Sequence, residues 1–216
     1  MPRLDWVIGL LVLLAAPARA QSAHGIVGLA TGASIQPQGK TTSEHLTGPL
    51  SGTARDVTAV IGTDLGRASL LSEVSVAGSI SNPQRDNVIG GVSAFTTTHR
   101  DVLTDILVRI EPARSHRVRV QPLGGIGFAH DTTKHTQIVV SPFDPFQRPH
   151  SQPDESFTKV SLDLVLGLDV TASITPRFAI VPRFRLHWIS NREDFQNPTG
   201  IANRLFQVGA GAQFGF

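Results

Sequence analysis

Three groups of residues in this 216-residue chain are of types that do chemistry. His187-Trp188-Ile189-Ser190-Asn191, with Glu193 close behind, supplies an imidazole, a hydroxyl and an acid, the parts of a base-activated nucleophile. A working Ser–His pair must approach to about 2.6–3.2 Å. Side chains in a strand alternate between faces, so a spacing of three sends His187 and Ser190 to opposite sides. The better expectation for His187 is an ion pair with Asp163. The second group is His130, Asp131, His135, Asp144, His150, Asp154 and Glu155. Imidazole and carboxylate can hold a divalent ion, but the spacing matches no metal motif and fits a solvated surface loop. The third and largest group is a set of acids and bases at alternate positions: Glu73, Asp105, Arg109, Glu111, Arg117, Arg119, Asp163, Asp169, Arg183, Arg185 and His187. Its chemistry is mutual neutralisation, since charges removed from bulk water must be paired. The chain has no cysteine, which excludes disulfides, thiolate metal ligands and thiol nucleophiles. Gly124-Gly125-Ile126-Gly127 is not a nucleotide loop, because no helix follows it, and it fits a place where side chains would crowd. No cofactor or metal is expected.

The elements that carry these residues alternate with the period of a β-strand. Eight stretches do so: about 25–35, 57–65, 70–80, 98–110, 117–128, 159–174, 177–189 and 204–216. The sixth is the clearest: Val160, Leu162, Leu164, Leu166, Leu168, Val170, Ala172 and Ile174 oppose Lys159, Ser161, Asp163, Val165, Gly167, Asp169, Thr171 and Ser173. The weakest is the first, with Val27, Leu29, Thr31, Ala33 and Ile35 on one face. The third includes Ile80 in its apolar row. Pro122 and Pro182 each remove a ladder donor, so a local break or bulge is expected near each.

Connections alternate in length. Those after the second, fourth and sixth strands are short (66–69, 112–116 and Thr175-Pro176), whereas 36–56, 81–97, 129–158 and 190–203 are long and polar. An even number of antiparallel strands of about ten residues, with short turns at one end and long loops at the other, is the pattern of an outer-membrane barrel. Folding back about the short turns places Glu111 opposite Arg117, Arg109 opposite Arg119, Asp169 near Arg183 and Asp163 near His187. The apolar rows then face lipid and the charged rows face a lumen that eight strands leave only wide enough for side chains. Ile138-Val139-Val140, Phe143 and Phe146 suggest a hairpin extended above the membrane or a partner contact. Without Tyr, a thin aromatic girdle falls to Phe128, Phe178, Phe184, Trp188, Phe206, Phe214 and Phe216.

The ends agree with this. Met1–Ala20 carries Arg3, an eleven-residue apolar run from Trp6 to Ala16 and Ala18-Arg19-Ala20, the plan of a secretory signal peptide, leaving 21–216 as the barrel domain. Setting aside Arg3, Arg19 and Asp5 leaves 17 basic and 16 acidic residues, so nothing in the charge balance calls for nucleic acid. After the signal no apolar run is long enough for a membrane helix, which needs about 20 residues.

With its alternating strands, asymmetric loops and terminal Phe214-Gly215-Phe216, the chain from about 24 to 216 resembles the small eight-stranded outer-membrane families typified by the OmpA membrane domain and OmpX. The resemblance implies an all-β, up-and-down transmembrane barrel in the bacterial outer membrane. It also implies a monomer embedded in outer-membrane lipid, with Phe214 and Phe216 as the C-terminal signal read by the barrel assembly machinery. Members of such families stabilise membranes or act in adhesion, host interaction or stress, so the implied role is structural or interactive, through a ligand or partner on surface loops, with no open pore and no enzymatic activity. His187 to Asn191 is also similar to the His-x-Ser-Asn motif of PagL-type lipid A deacylases, which makes such a hydrolase the first alternative. A secreted, soluble lipocalin-like ligand binder is the second.

Overall fold

The computed structural model describes residues 24–37, 50–88, 91–110, 117–140, 149–151, 155–190 and 202–216. These residues form ten strands: β1 (His24–Gln36), β2 (Gly52–Asp64), β3 (Ala68–Ala77), β4 (Ile80–Val88), β5 (Gly91–Ile110), β6 (Val118–Val140), β7 (Pro149–Ser151), β8 (Glu155–Ser173), β9 (Phe178–Ile189) and β10 (Arg204–Gly215). Eight of them run in the order β5-β3-β2-β1-β10-β9-β8-β6, and β6 pairs back onto β5, closing an antiparallel barrel. The seam between the first and last strands is continuous from Ile26↔Gly215 to Ile35↔Phe206. It is finished by Gly25 N donating to Phe216 O (2.8 Å) and Phe216 N donating to Gly25 O (3.0 Å). Closure removes the unpaired edges that hydrocarbon cannot solvate.

The barrel has its oil outside. Leu164, Phe184 and Phe214 are 49%, 39% and 52% exposed, whereas Asp169 and Arg183 are 0% and 8% exposed. The apolar row of every expected strand points outward as its alternation requires, with Ile80 the exception: it is buried beside Leu50 and Ala54. The cause is a bulge. β3 holds one register with β5 down to Val76↔Val102, and β4 resumes at Ile80↔His99, so Ala77, Gly78 and Ser79 oppose only Asp101 and Arg100. The extra residue reverses which face each later side chain meets.

At one end the connections are tight. Asp64 Oδ1 accepts from Gly66 N (2.7 Å), and Gly66 takes φ +99°, which a residue without Cβ adopts at little cost. Between β8 and β9, Thr175 Oγ1 accepts from Phe178 N at 3.0 Å. At the other end the strands run on beyond the expected limits. β4–β5 and β5–β6 pair up to Val88↔Gly91 and Val92↔Val140, and Ile138–Val140 pair with Pro149–Ser151 of β7. Much of what reads as the loops 81–97 and 129–158 is therefore paired strand, and the Ile138–Val140 stretch does extend a hairpin. The outward alternation of large apolar residues stops near Phe128, so apart from Ile138–Val140 the continuation carried no alternating hydrophobic signal to read.

Neither strand proline forces an extra residue. Pro122 lies just past the last β5–β6 bridge, Arg109↔Leu123, so one of its sides has no ladder to disturb. At Pro182 the β8–β9 bridges skip from Asp169↔Arg183 to Ala172↔Ile180 in unchanged register, a local break without a bulge. The aromatic girdle is thin and concentrated on β9 and β10, where Phe178 meets Phe214 (4.8 Å between ring centres), Phe184 meets Phe206 (6.4 Å) and Arg204 lies 6.0 Å from the Trp188 ring.

Candidate functional site

The inward faces of the strands build an ionic centre. Along β5 that face reads Arg109, Leu107, Asp105, Leu103 and Asp101, so an apolar residue lies on each side of Asp105. Leu107 joins Ile26, Val60, Leu71, Leu123 and Val165 in one buried cluster, and Leu103 joins Ala129, Ile189 and Leu205 in another.

Arg185 is the hub. Its Nη2 and Nε donate to Glu73 Oε1 and Oε2 at 2.8 and 3.2 Å, and its Nη1 donates to Asp169 Oδ1 at 2.6 Å. Arg183 Nη2 donates to the same Glu73 Oε2 at 2.6 Å. Arg109 Nη1 approaches Asp169 Oδ2 at 3.5 Å, an ion pair without hydrogen-bond geometry, and donates to Gln213 Oε1 at 3.1 Å. Forked guanidinium–carboxylate contacts of this kind are the stronger class of ion pair and fix orientation as well as charge. Ala30 of β1 and Gly211 of the neighbouring β10, both small, line a narrow gap together with Arg183, Arg185 and Asp169.

A second chain of contacts crosses five strands. His187 Nδ1 lies 2.6 Å from Asp163 Oδ2, and its Nε2 lies 3.2 Å from Gln207 Oε1. Gln207 Nε2 donates to Ser34 Oγ (3.3 Å), which donates to Asp56 Oδ2 (3.0 Å). Farther toward the long-loop end, His99 bonds Asp101 (2.7 Å) and Thr133 (3.1 Å), while Thr97 bonds His135 (3.0 Å).

Of the residues expected in the network, Glu73, Asp105, Arg109, Asp163, Asp169, Arg183, Arg185 and His187 are all buried inside the barrel. Asp163–His187 pairs as expected. Asp169 and Arg183 are register neighbours, but their ion pairs go elsewhere, to Arg185 and to Glu73. The expected pairing of Arg109 with Arg119 is wrong: Arg109 faces Leu123, because β6 starts lower than a tight hairpin would place it and uses its first residues to pair with β8. Arg117 is exposed and Arg119 half-buried; with Arg109 and Arg177 they line a vestibule of about 660 Å³ at the short-turn end. Glu111, with its expected contact to Arg117, lies outside the described residues, as do Asp144, Phe143, Phe146, Asp154 and the signal segment 1–20.

Sequence reasoning missed Gln207, Ser34, Asp56, Gln121, Thr171 and the belt around His99. Polar parity along β5 beyond Leu103 was the available signal for His99 and Asp101. Gln121 and Thr171 bond each other between β6 and β8. The nucleophile arrangement fails on geometry, since both His187 nitrogens face Asp163 and Gln207, while Ser190 is exposed and donates to Leu162 O at 3.1 Å. Phe214 and Phe216 are exposed on the outer face of the closing strand.

A closed eight-stranded barrel with lipid-facing apolar rows and an ionic interior is an outer-membrane barrel. The outer membrane protein beta-barrel domain family matches residues 7–214, and the chain belongs to that family. Among solved structures, a major outer membrane protein from Thermus thermophilus aligns at 12% identity and TM-score 0.52, covering 91% of this chain and 100% of that one. Ail, the attachment invasion locus protein of Yersinia pestis, in complex with the heparin analogue sucrose octasulfate, aligns at 13% identity and TM-score 0.49, again over 91% and 100%. OprG from Pseudomonas aeruginosa aligns at 12% identity and TM-score 0.43, over 89% and 95%. At these identities the likeness is one of fold. No curated protein sequence matches the chain. The protein is thus a small barrel of the bacterial outer membrane, and its exposed apolar rows rule out a lipocalin-like soluble barrel, whose apolar face points inward.

Proposed function

We propose that this protein is a plugged, non-enzymatic, monomeric barrel that works by surface interaction. The observation that carries the reading is that β5 and β6 continue, paired with each other and with β4 and β7, well beyond the lipid-facing rows that end at Val102 and Phe128. A strand of 20 residues such as β5 is about 65 Å long, whereas about 10 residues cross the apolar core. The surplus is a platform outside the membrane, and surface loops are where such barrels carry binding. Just past the apolar rows, Arg100, His130 and Lys134 are exposed on the lipid-side face, at a level suited to anionic lipid headgroups. The bonded ionic centre between two apolar clusters supports a plug rather than a conducting path. In this reading the barrel assembly machinery recognises Phe214 and Phe216 of the closing strand, and their exposure supports it. Nucleic acid is no part of this reading.

The test has two arms. In proteoliposomes the protein should pass neither ions nor small sugars; steady conductance would reject the plug. Cells displaying the protein should lose attachment to biotic or abiotic surfaces when residues 81–98 are replaced by a short turn, with heat-modifiable migration retained. Unchanged attachment in that variant would reject the platform.

A further inference from the structure

Asp105 stands apart from the rest of the ionic centre. The register runs Glu73↔Asp105↔Gly127↔Asp163 across β3, β5, β6 and β8, so the carboxylates of Asp105 and Asp163 flank a glycine. A Cβ at Gly127 would collide with Asp105 Oδ1, so the glycine makes the room into which that carboxylate leans. Donor atoms of Asp105, Asp163 and His187 lie within 4.8 Å of one another, and all three side chains are at most 1% exposed. Oδ1 of Asp105 and Oδ1 of Asp163 have no hydrogen-bond partner, nor does Ser161 Oγ two residues away on the same inward face. Buried polar atoms are normally satisfied, and a carboxylate oxygen left bare is among the costliest exceptions.

The arginines are committed elsewhere, Arg183 and Arg185 to Glu73, Arg185 and Arg109 to Asp169. His187 is already oriented as a ligand would be. Ser34 donates its proton to Asp56 and so accepts from the Gln207 amide, which turns Gln207 Oε1 toward His187 Nε2. Nε2 then donates to Gln207, and the proton shared between Nδ1 and Asp163 Oδ2 is the one that a metal ion would displace. A ligating imidazole that donates its other N–H to an oxygen is the usual second layer of a metal site.

We propose that Asp105, Asp163 and His187 bind one first-row divalent cation of the zinc or manganese type inside the barrel. Two carboxylates and a neutral imidazole balance a charge of +2, and the nitrogen ligand favours such ions over calcium or magnesium. The ion would link β5, β8 and β9 and satisfy the bare oxygens.

The experiment uses the full-length barrel, refolded in detergent, stripped with EDTA and dialysed against zinc. Bound metal is counted by mass spectrometry of the ashed protein. The wild type should hold about one zinc per chain and melt at a higher temperature with zinc than without. Asp105→Asn and Asp163→Asn should hold essentially none and lose the zinc-dependent shift, while Asp169→Asn should retain it. Heat-modifiable migration reports whether each variant folds. For variants that do not, zinc-edge X-ray absorption of the wild type serves instead, and one imidazole with oxygen ligands is the expected shell. Wild type without zinc, zinc that persists undiminished in both folded Asn variants, or a shell of several imidazoles would overturn the site; the last two would mark adventitious binding by surface histidines.

Discussion

Arg185 on β9 and Glu73 on β3 lie on opposite sides of the barrel, four strands apart in either direction, and are joined by a two-point contact of 2.8 and 3.2 Å. The pair is a strut across the full diameter. Removing one partner strands the other charge in a buried site, which costs roughly 3–5 kcal/mol. Glu73→Ala should therefore lower the urea midpoint of the folded, heat-modifiable band markedly. The double variant Glu73→Leu with Arg185→Leu should lose less than the sum of the single changes, because neither member of the pair is left facing a missing partner, although Arg183 and Asp169 each lose one contact. Additive losses would show that the strut contributes little.

The outward rows give a second expectation. Leu164 is half exposed to hydrocarbon, and an arginine near the bilayer centre costs about 2–4 kcal/mol. Leu164→Arg should destabilise the lipid-embedded barrel by that amount, whereas Thr158→Arg, above the apolar rows, should cost about 0–1 kcal/mol. Folding titrations in lipid vesicles check the difference.

Gly127 is a packing position. A methyl there meets the Asp105 carboxylate and the Thr104 carbonyl, so Gly127→Ala should destabilise by roughly 1–3 kcal/mol. Adding Asp105→Gly should restore only part of it, since the backbone contact remains. Full restoration would place the whole conflict on the carboxylate.

His187 and Ser190 should separate cleanly. Lipid A from cells expressing the wild type and Ser190→Ala should have the same mass, because Ser190 is bonded to Leu162 O and His187 is buried beside Asp163. His187→Ala should instead weaken the folded barrel. A lipid A mass change that depends on Ser190 would restore the hydrolase.

At the closing strand, deletion of Phe216 should slow assembly in cells more than refolding in detergent. Its backbone contributes only the last two bonds of the seam, to Gly25. Pulse-chase appearance of the heat-modifiable form measures the first and gel shift in vitro the second.

Alternation alone determined which residues within a strand share a face, because a period of two depends on nothing beyond the strand itself. It held for Leu164, Asp169 and Arg183, and the short separation between β8 and β9 was enough to bring Asp163 to His187. It failed at Ile80, where a one-residue bulge reversed the parity, and beyond Phe128, where strands continue without lipid to demand an apolar row. Partnership across the lumen was decided only by the tertiary structure. Closure and stagger of eight strands set Arg185 against Glu73, 112 residues away, and put Leu123 rather than Arg119 opposite Arg109. Which charges meet depends on the register of every strand between them, a property of the closed sheet and of no single segment.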